Sequence, residues 1–336
     1  MYLKDIKINE NDLKLLYYLA RFKLMSANDA IFFYGSSYYQ KRLQQLKNAN
    51  YITRYYRVYI KLSSACIRYL EEQNIKCGAP CRNKSYIKRL VLLSRIGIEL
   101  EKAKIPIKLS WEMKGKHFTD WSRRFLGELE IDNEKYILYY AKLNNDYNKK
   151  LHFDINKDID YSNIIIIAEN INVIEESTPF IFHNKTKSII VPFDKIKYLK
   201  YYNTLSIKEE IEKYYNLAPE ESDYNIADYK IGDTNIIYMP FIDTHRVMAL
   251  NSFFSLAMTD SQFDILTLED NLDKLTELCR NSKNELSGTL DTQVNNGEIF
   301  IVGIKLFENE VVEKANPRMI TYDLKEYLTK TIYELA

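Results

Sequence analysis

Basic and acidic residues are segregated along this chain of 336 residues, although its formal net charge is only +1. Residues 1–110 carry 21 Lys and Arg against 8 Asp and Glu, a net charge of +13. The other 226 residues carry 26 against 38, a net charge of −12. Such an asymmetry between two parts of a chain predicts a basic module for a polyanion, joined to an acidic module with another task.

Length and composition set the class of protein that we expect. A chain of this size predicts two or three domains, and 46% hydrophobic residues are enough for real cores. The polar start is not that of a signal peptide, and the most apolar run, residues 164–168, is too short to cross a bilayer. We therefore expect a cytoplasmic protein with reduced thiols. Cys77 and Cys81 have no second ligand pair nearby, so neither a metal site nor a cofactor is predicted.

The basic part has an acid-free centre. No Asp or Glu occurs between Asp29 and Glu71, whereas seven Lys and Arg do. A cluster of cations without acids is typical of a surface that contacts phosphates, so we expect binding to nucleic acid. The seven are Lys41, Arg42, Lys47, Arg54, Arg57, Lys61 and Arg68.

Residues 1–76 show the element order of a winged helix-turn-helix. Three short helices are predicted first, then β-rich runs at 51–55 and 57–62 that form a hairpin, then a closing helix. The predicted boundaries are an N-cap at Asn9 or Asn11, a second helix from Ser26 (with Asp29 as capping-box partner) to Gly35, a third from Ser36 or Ser37 to Asn48, and a last N-cap at Ser63 or Ser64.

The third helix is the predicted recognition helix. Tyr39, Leu43 and Leu46 form one apolar stripe for the core. The opposite face carries hydrogen-bonding groups and a cation, which suit the base edges of a major groove. Its residues are Ser37, Tyr38, Lys41, Gln44, Gln45 and Asn48.

Other cations of this module are predicted to hold the DNA backbone. Arg42 and Lys47 flank the recognition face and are expected to reach phosphates. Arg54 and Arg57 lie on the hairpin and are expected at the backbone or the minor groove, with Lys61 on its second strand. The alternatives that remain open are an ordinary solvated helix face and binding to RNA.

Residues 77–106 are predicted to form a basic loop and a connecting helix. The helix runs from Ser85 to about Lys104, and Pro106 ends it. It either extends the phosphate surface, forms a dimer contact or ties the two parts together.

The acidic part reads as a mixed α/β domain at 107–218 and a further α/β subregion at 219–336. A hairpin at 125–131 and 136–143 is the clearest signal, followed by the Ile-rich strand at 163–168. Asp243 or Thr244 is predicted to cap a helix rather than to form a polar site. The other expected elements are strands at 108–113, 181–183, 188–193, 235–242 and 298–307, and helices at 194–202, 206–216, 246–258, 267–282 (capped by Thr267 with Asp270) and 322–336.

This order of elements resembles the replication-relaxation family of plasmid and mobile-element proteins. The resemblance covers about residues 10–205 and depends on a winged helix, a long connecting helix and a hairpin-led α/β domain. It implies a second domain related to the restriction-endonuclease-like fold, in an α+β protein. It also implies a role in replication initiation, plasmid maintenance or transcriptional control.

Two hypotheses about function follow. The first is a sequence-specific binder of double-stranded DNA without catalytic residues, in which the acidic part binds a protein partner or assembles the protein, with a homodimer as one form. The second is a metal-dependent nuclease or nicking protein. For that activity, Lys142 stands where a catalytic lysine is needed, but the acid two residues before it is replaced by Tyr140. Asp120, Glu128 and Glu130 are the upstream carboxylates available as ligands for Mg²⁺.

Overall fold

The described residues form both helices and strands, in the α+β class that the sequence predicts. The computed structural model describes residues 3–35, 38–78, 84–113, 124–131, 133–142, 144–157, 163–170, 173, 187–202, 208, 211–212, 215–256, 262–268, 298–306, 312–314 and 318–321. The chain divides into two units, Met1–Ile107 (unit 1) and Lys108–Ala336 (unit 2). The predicted end of the connecting segment at 106 lies one residue before this division.

Unit 1 consists of five helices and three short strands among its described residues. A single 3₁₀ turn, Asn28–Ala30, precedes the second helix. The elements in chain order are α1 (Glu10–Phe22), β1 (Met25–Ser26), α2 (Ile31–Tyr34), α3 (Tyr39–Asn48), β2 (Ile52–Tyr55), β3 (Tyr59–Leu62), α4 (Ser64–Glu72) and α5 (Lys84–Lys102).

Side-chain caps fix two of these helices where the sequence predicts them. Asn9 caps α1 through a capping box: its side chain accepts from the backbone N–H of Asp12, whose carboxylate accepts from the Asn9 N–H at 2.8 Å. Ser63 caps α4 by accepting from the Cys66 N–H at 3.0 Å. Gly35 ends α2 with φ +76°, a conformation that glycine adopts at little cost.

The start of the second helix is corrected by the structure. Ser26 does not cap a helix, because it lies in β1 and pairs with Tyr59 of β3. Backbone pairing to the hairpin therefore takes the place of a capping box there. The predicted caps Ser36 and Ser37 lie outside the described residues, and the first described flank of α3 is Tyr38, which makes no side-chain cap bond.

A three-stranded antiparallel sheet in the order β1-β3-β2 holds the hairpin of unit 1. The predicted hairpin is confirmed, with Ile52 opposite Leu62 and Tyr55 opposite Tyr59. Ile52 and Ile60 are buried, as are Leu43 and Leu46 of α3, and α3 contacts β2. The core of unit 1 thus fixes the hairpin and α3 in one packed body.

Helix α5 belongs to unit 1 and packs against α1. Tyr18 of α1 donates a hydrogen bond to the carbonyl of Ser94 at 2.5 Å. A Cβ on Gly97 would lie 2.4 Å from the ring of Phe22 and 2.6 Å from the Tyr18 hydroxyl, so only glycine allows this approach. The predicted connecting helix is therefore part of the core of unit 1.

Unit 2 contains two six-stranded sheets that share one hydrophobic core. The first sheet has the order β11-β8-β7-β6-β5-β4, with β5–β6 and β8–β11 antiparallel and β6–β7–β8 parallel. Its elements, with helix α6, are β4 (Ile107–Leu109), β5 (Gly127–Ile131), β6 (Glu134–Ala141), α6 (Asn145–Lys157), β7 (Asn163–Ala168), β8 (Lys187–Pro192), a 3₁₀-helix (Phe193–Tyr201) and, later in the chain, β11 (Ile242–Asp243).

The second sheet has the order β14-β13-β12-β10-β9, with β15 also paired to β13. Its central strands β10, β12 and β13 are parallel. Strand β11 follows β10 in the chain but pairs with β8 of the first sheet, so the two sheets interlock across the predicted division at 218/219. The elements are β9 (Tyr229–Ile231), β10 (Thr234–Tyr238), α7 (Thr244–Leu256), β12 (Gln262–Leu268), β13 (Glu298–Leu306), β14 (Val312–Lys314) and β15 (Arg318–Thr321).

Some predictions for unit 2 are confirmed and two are wrong. The single strand predicted at 235–242 is two strands, β10 and β11, which belong to different sheets. Asp243 caps α7, since its Oδ1 accepts from the N–H groups of His245 at 3.0 Å and Arg246 at 3.1 Å. Thr267 does not cap a helix, because it lies in β12 and pairs with Gly303, an interior position of the parallel sheet. The strand predicted at 181–183, the helix at 322–336 and most of the helix at 206–216 lie outside the described residues.

Candidate nucleic-acid interface

Helix α3 separates a buried stripe from an exposed polar face, as its sequence predicts. Leu43 and Leu46 are buried, whereas Tyr39 of the same predicted stripe is half-buried. The exposed side chains of α3 and its flank include one aromatic ring, two cations and three amides, and no acid. They are Tyr38, Gln40, Lys41, Gln44, Lys47 and Asn48.

The amides of this face are ordered by contacts within the helix. Gln44 donates from Nε2 to Oδ1 of Asn48 at 2.9 Å, an i,i+4 pair along the exposed side. Gln40 donates to the Tyr39 hydroxyl at 3.1 Å. Side chains that are partly ordered before binding lose less conformational entropy when they meet a ligand.

Arg42 does not lie where the sequence predicts. It is buried, and its guanidinium donates from Nε to Oδ1 of Asp12 at 2.8 Å and from Nη2 to Oδ2 of the same carboxylate. Nη2 also donates to the carbonyl of Lys7 at 2.6 Å. The prediction of a phosphate contact at Arg42 is therefore corrected, since its guanidinium is already engaged by Asp12 of α1 and by the Lys7 carbonyl.

Asp12 is the residue that sequence reasoning missed. It lies on the buried side of α1 with Leu15, Leu16 and Leu19, and it is fully buried. A carboxylate on an apolar helix stripe needs a cationic partner, and this was the signal that could have found the pair. Burial alone would raise the pKa of Asp12, but the hydrogen bonds from Arg42 and the backbone of Asn9 outweigh it and hold that pKa below 3.8.

Arg42 also positions one predicted base-reading residue. Its Nη1 donates to Oε1 of Gln45 at 2.8 Å, and this bond orients the amide of Gln45, a half-buried residue. This bond occupies the carbonyl oxygen of the Gln45 amide and leaves its NH₂ group as the donor. The structure thus brings Gln45 to the edge of the exposed face rather than to its centre.

The hairpin carries two exposed arginines, Arg54 on β2 and Arg57 at the tip. Arg54 is exposed on β2 and donates to the carbonyl of Arg57 at 3.4 Å. Tyr56 and Arg57 form the tip with φ of +48° and +62°, the left-handed turn conformation that fits the twist of a hairpin. The carbonyl of Val58 accepts from the N–H of Ala27 at 2.9 Å, which ties the tip to the chain after β1.

Lys61 lies on β3, the second strand of the hairpin. Its side chain is half-buried, and Nζ lies 4.7 Å from the centroid of the Tyr55 ring, a cation–π contact. It lines a cavity together with the end of α1 and the start of α4. The structure therefore groups Arg54 and Arg57 at the tip and places Lys61 with a different set of neighbours.

The acids of unit 1 leave the exposed cations of α3 and the hairpin without ion pairs. Unit 1 carries 20 Lys and Arg against 8 Asp and Glu. Four of these acids form ion pairs in the described part of unit 1, and one of the four neutralises the buried Arg42 of α3, whereas none of these pairs involves Lys41, Lys47, Arg54 or Arg57. The pairs are Glu10 with Lys14 at 2.8 Å, Asp12 with Arg42, Asp29 with Arg95 at 3.2 Å and Glu99 with Lys102 at 2.7 Å.

The residues considered for a nuclease site are not brought together. Glu128 lies opposite Ile137 in the β5–β6 pair, five residues from Lys142, which is about 16 Å along a strand. Glu128 faces Lys135 at 3.9 Å instead, and the Lys142 ammonium lies 4.6 Å from the ring centroid of Tyr147. Glu130 is two pairs further away, opposite Lys135. Asp120 lies outside the described residues.

The described residues contain neither a cluster of metal ligands nor a membrane-spanning helix. Within the described part of the chain, no group of three or more His, Cys, Asp and Glu is placed to hold a metal ion. No helix among those residues combines the length and the apolarity needed to cross a membrane. Comparisons with protein-family profiles, curated proteins and solved structures found no match to the chain.

Proposed function

We propose that unit 1 is a winged helix-turn-helix module that binds double-stranded DNA, with α3 in the major groove and the hairpin tip on the backbone. The observation that carries the proposal is the acid-free exposed face of α3, which has Lys41 and Gln44 at its centre and is fixed in one core with the hairpin. Lys and Gln are side chains that hydrogen-bond to guanine and adenine edges, respectively.

The short strand β1 supports this assignment. It follows α1 and pairs with β3, so the hairpin forms one sheet with the helical part of the module rather than a free arm. A hairpin fixed in this way projects Arg54 and Arg57 at a set position relative to α3. Fixed spacing between a groove-reading helix and a backbone contact is what a winged helix uses to orient itself on a duplex.

The exposed residues of α3 and those of the hairpin are expected to contact different parts of the DNA. Lys41 on α3 reads bases, and its loss should relax sequence preference, whereas Arg54 on the hairpin contacts the backbone, and its loss should weaken all duplexes alike. Tyr38, Lys47 and Asn48 extend the α3 surface towards phosphates or neighbouring bases. The acidic unit 2, which carries 27 Lys and Arg against 38 Asp and Glu, is repelled by DNA and is the part we assign to assembly or to a protein partner.

The resemblance noted above extends the proposal to a biological setting. We assign the chain to a plasmid or other mobile element, in the cytoplasm, with a role in replication initiation, maintenance or transcriptional control. The hairpin-led sheet of unit 2, in which β6 is followed by α6 and the parallel strand β7, is in keeping with a degenerate restriction-endonuclease-like domain. The separation of Glu128 from Lys142 argues against an active nuclease that uses these two residues.

The test is fluorescence anisotropy of the full-length protein on a duplex from its own upstream region and on a shuffled duplex, each at two salt concentrations. We expect preference for the native duplex and a steep loss of affinity with salt, because several phosphates are contacted. Lys41→Ala should reduce the ratio of the two affinities by about tenfold, or about 1.4 kcal/mol, and Arg54→Ala should leave that ratio unchanged.

The matched control is Lys88→Ala, which removes an exposed cation from α5 of the same unit. Lys88→Ala should change neither the ratio nor the affinity by more than a small factor. Weak and equal binding of both duplexes, or equal effects of the three substitutions, would refute the assignment of α3 as the reading helix. Tighter binding to an RNA of the same sequence would replace it by an RNA-binding function.

A further inference from the structure

The hairpin of unit 1 ends in a tip that exposes apolar side chains. Its loop has three residues, 56–58, between the paired Tyr55 and Tyr59. Tyr56 is 50% exposed and Val58 is 55% exposed. Tight turns are usually built from Gly, Asn, Asp, Ser and Pro. Because apolar surface gains free energy when it leaves water, two such side chains at the end of a loop favour a contact that covers them.

The backbone of the tip makes the residues found there informative. Tyr56 and Arg57 both have a left-handed conformation, with φ of +48° and +62°. A residue with a large side chain adopts this region at a cost that glycine avoids and asparagine tolerates better. Asn-Gly is the preferred sequence for a hairpin turn of this conformation. Strain of this kind is concentrated at sites that contact a ligand, so we interpret Tyr56 and Arg57 as contact residues.

Neighbouring side chains hold the ring of Tyr56 and place a cation beside it. The rings of Tyr55 and Tyr56 meet edge to face, with centroids 4.5 Å apart and planes at 70°. The ammonium of Lys61 lies 4.7 Å from the centroid of the Tyr55 ring. Nη1 of Arg54 donates to the carbonyl of Arg57 at 3.4 Å, so the Arg54 guanidinium lies against the backbone of the tip. The tip therefore combines a supported aromatic ring with positive charge.

A narrow apolar tip with adjacent cations matches the minor groove of DNA. That groove is about 6 Å wide, and its negative potential attracts arginine. Proteins that bind there insert apolar side chains between base pairs and bend the duplex by about 20–90°. Residues 30–70, which include the whole hairpin, contain no Asp or Glu, and this charge favours a polyanion as the partner of the tip.

We propose that Tyr56 inserts its ring between two base pairs from the minor groove and bends the duplex. Val58 then lies against the sugars, and Arg54 and Arg57 contact the phosphates beside the inserted ring. The inference rests on the proposed function and adds a DNA bend to it. The step that receives the ring is TA or CA, because pyrimidine–purine steps unstack and kink most easily.

Fluorescence resonance energy transfer with the full-length protein tests the proposal, on a duplex of about 30 bp from its own upstream region with a dye at each end. Binding should raise the transfer efficiency, because a bend shortens the distance between the two ends. At saturating protein, Tyr56→Asn should lose most of that rise, whereas Tyr56→Phe, which keeps the ring, should retain it. Asparagine tolerates a positive φ, so Tyr56→Asn removes the ring and keeps the turn.

The matched control is Tyr69→Asn, the same change on an exposed tyrosine of α4, which should leave the bend unaltered. Anisotropy of the same duplex separates the two possible failures. Absence of binding would refute the proposed function, and this inference with it. Binding without a rise in transfer, or an equal rise in Tyr56→Asn and wild type, would overturn the insertion alone. A smaller sedimentation coefficient of DNA-free Tyr56→Asn would also overturn it and assign the tip to a contact between copies of the chain.

Discussion

Asp12→Asn exchanges one oxygen for an NH₂ group, and we expect it to lower the free energy that is needed to open α3 away from α1. The Asp12 carboxylate is fully buried and accepts from Nε and Nη2 of Arg42, from the Tyr34 hydroxyl at 2.8 Å and from the Asn9 N–H at 2.8 Å. An asparagine at this position removes the negative charge and turns one acceptor into a donor that faces the guanidinium. Arg42 then stays buried with its positive charge uncompensated.

The magnitude follows from the burial of both partners. Removal of one member of a buried ion pair costs about 3–5 kcal/mol, because the other charge cannot regain its hydration. Part of that cost falls on the capping box of α1, since the same carboxylate accepts from the Asn9 N–H. A loss of 3–5 kcal/mol in opening free energy corresponds to faster amide exchange by about two to three and a half powers of ten.

Hydrogen–deuterium exchange of the full-length protein, resolved by peptide, measures this effect. Peptides from α1 and α3 should exchange faster in Asp12→Asn, whereas peptides from β7 in unit 2 should not change. Glu10→Gln is the matched control, because it makes the same chemical change two positions earlier on an exposed residue whose partner is Lys14. It should leave the exchange of α3 unaltered.

A compensating double variant separates the charge from the packing. Asp12→Leu combined with Arg42→Met removes both charges, so no unpaired ion remains and the protection of α3 should return in part. The capping box of α1 and the acceptor for the Tyr34 hydroxyl stay lost in this variant. The reasoning is refuted if α3 keeps its wild-type protection in Asp12→Asn, or if the double variant exchanges as fast as the single one. Either result would mean that the ion pair does not hold α3 on α1.

Three further predictions concern the same unit. Because the pKa of Asp12 lies below its usual 3.8 in the folded protein, the stability that it contributes is complete above that pH and is lost as the pH falls through the folded value. In thermal melts the difference between wild type and Asp12→Asn should therefore be constant near neutral pH and shrink in stronger acid. Burial raises the pKa of Cys66 to about 12, so N-ethylmaleimide at pH 8 should label Cys77 before Cys66, and equal rates by peptide mass spectrometry would contradict this. Gly97→Ala should destabilise unit 1 by about 1–3 kcal/mol by overpacking α1, although alanine favours helix, and a rise in melting temperature would contradict it.

Local signals predicted most elements of unit 1 because neighbours in sequence supply their causes. Asn9 caps α1, Ser63 caps α4, and Gly35 ends α2, all through contacts within a few residues. Helix α3 ends at Asn48 as predicted. Ser26 shows the opposite case, since its local pattern favours a helix cap but pairing with Tyr59, 33 residues later, makes it a strand.

The candidate site was predictable only where exposure follows helical periodicity. Lys41 and Gln44 lie on the exposed face that the spacing predicts. Arg42 is next to them in sequence but is buried in an ion pair with Asp12, 30 residues earlier. The place of Asp12 on an apolar stripe signals a cationic partner, but no local pattern identifies Arg42 as that partner. In unit 2, Thr267 has the composition of a cap, but two parallel neighbours in the sheet outweigh it.

Between β10 and β11 the chain passes from the second sheet of unit 2 to the first, so one continuous segment joins the two sheets. Three residues, 239–241, carry the chain from one sheet to the other, and Ile242 then pairs with Ile190 of β8. A fragment that stops before residue 242 would leave the backbone groups along that edge of β8 open to other chains. The two sheets therefore cannot be separated at residues 239–241 without loss of the β8–β11 strand pair.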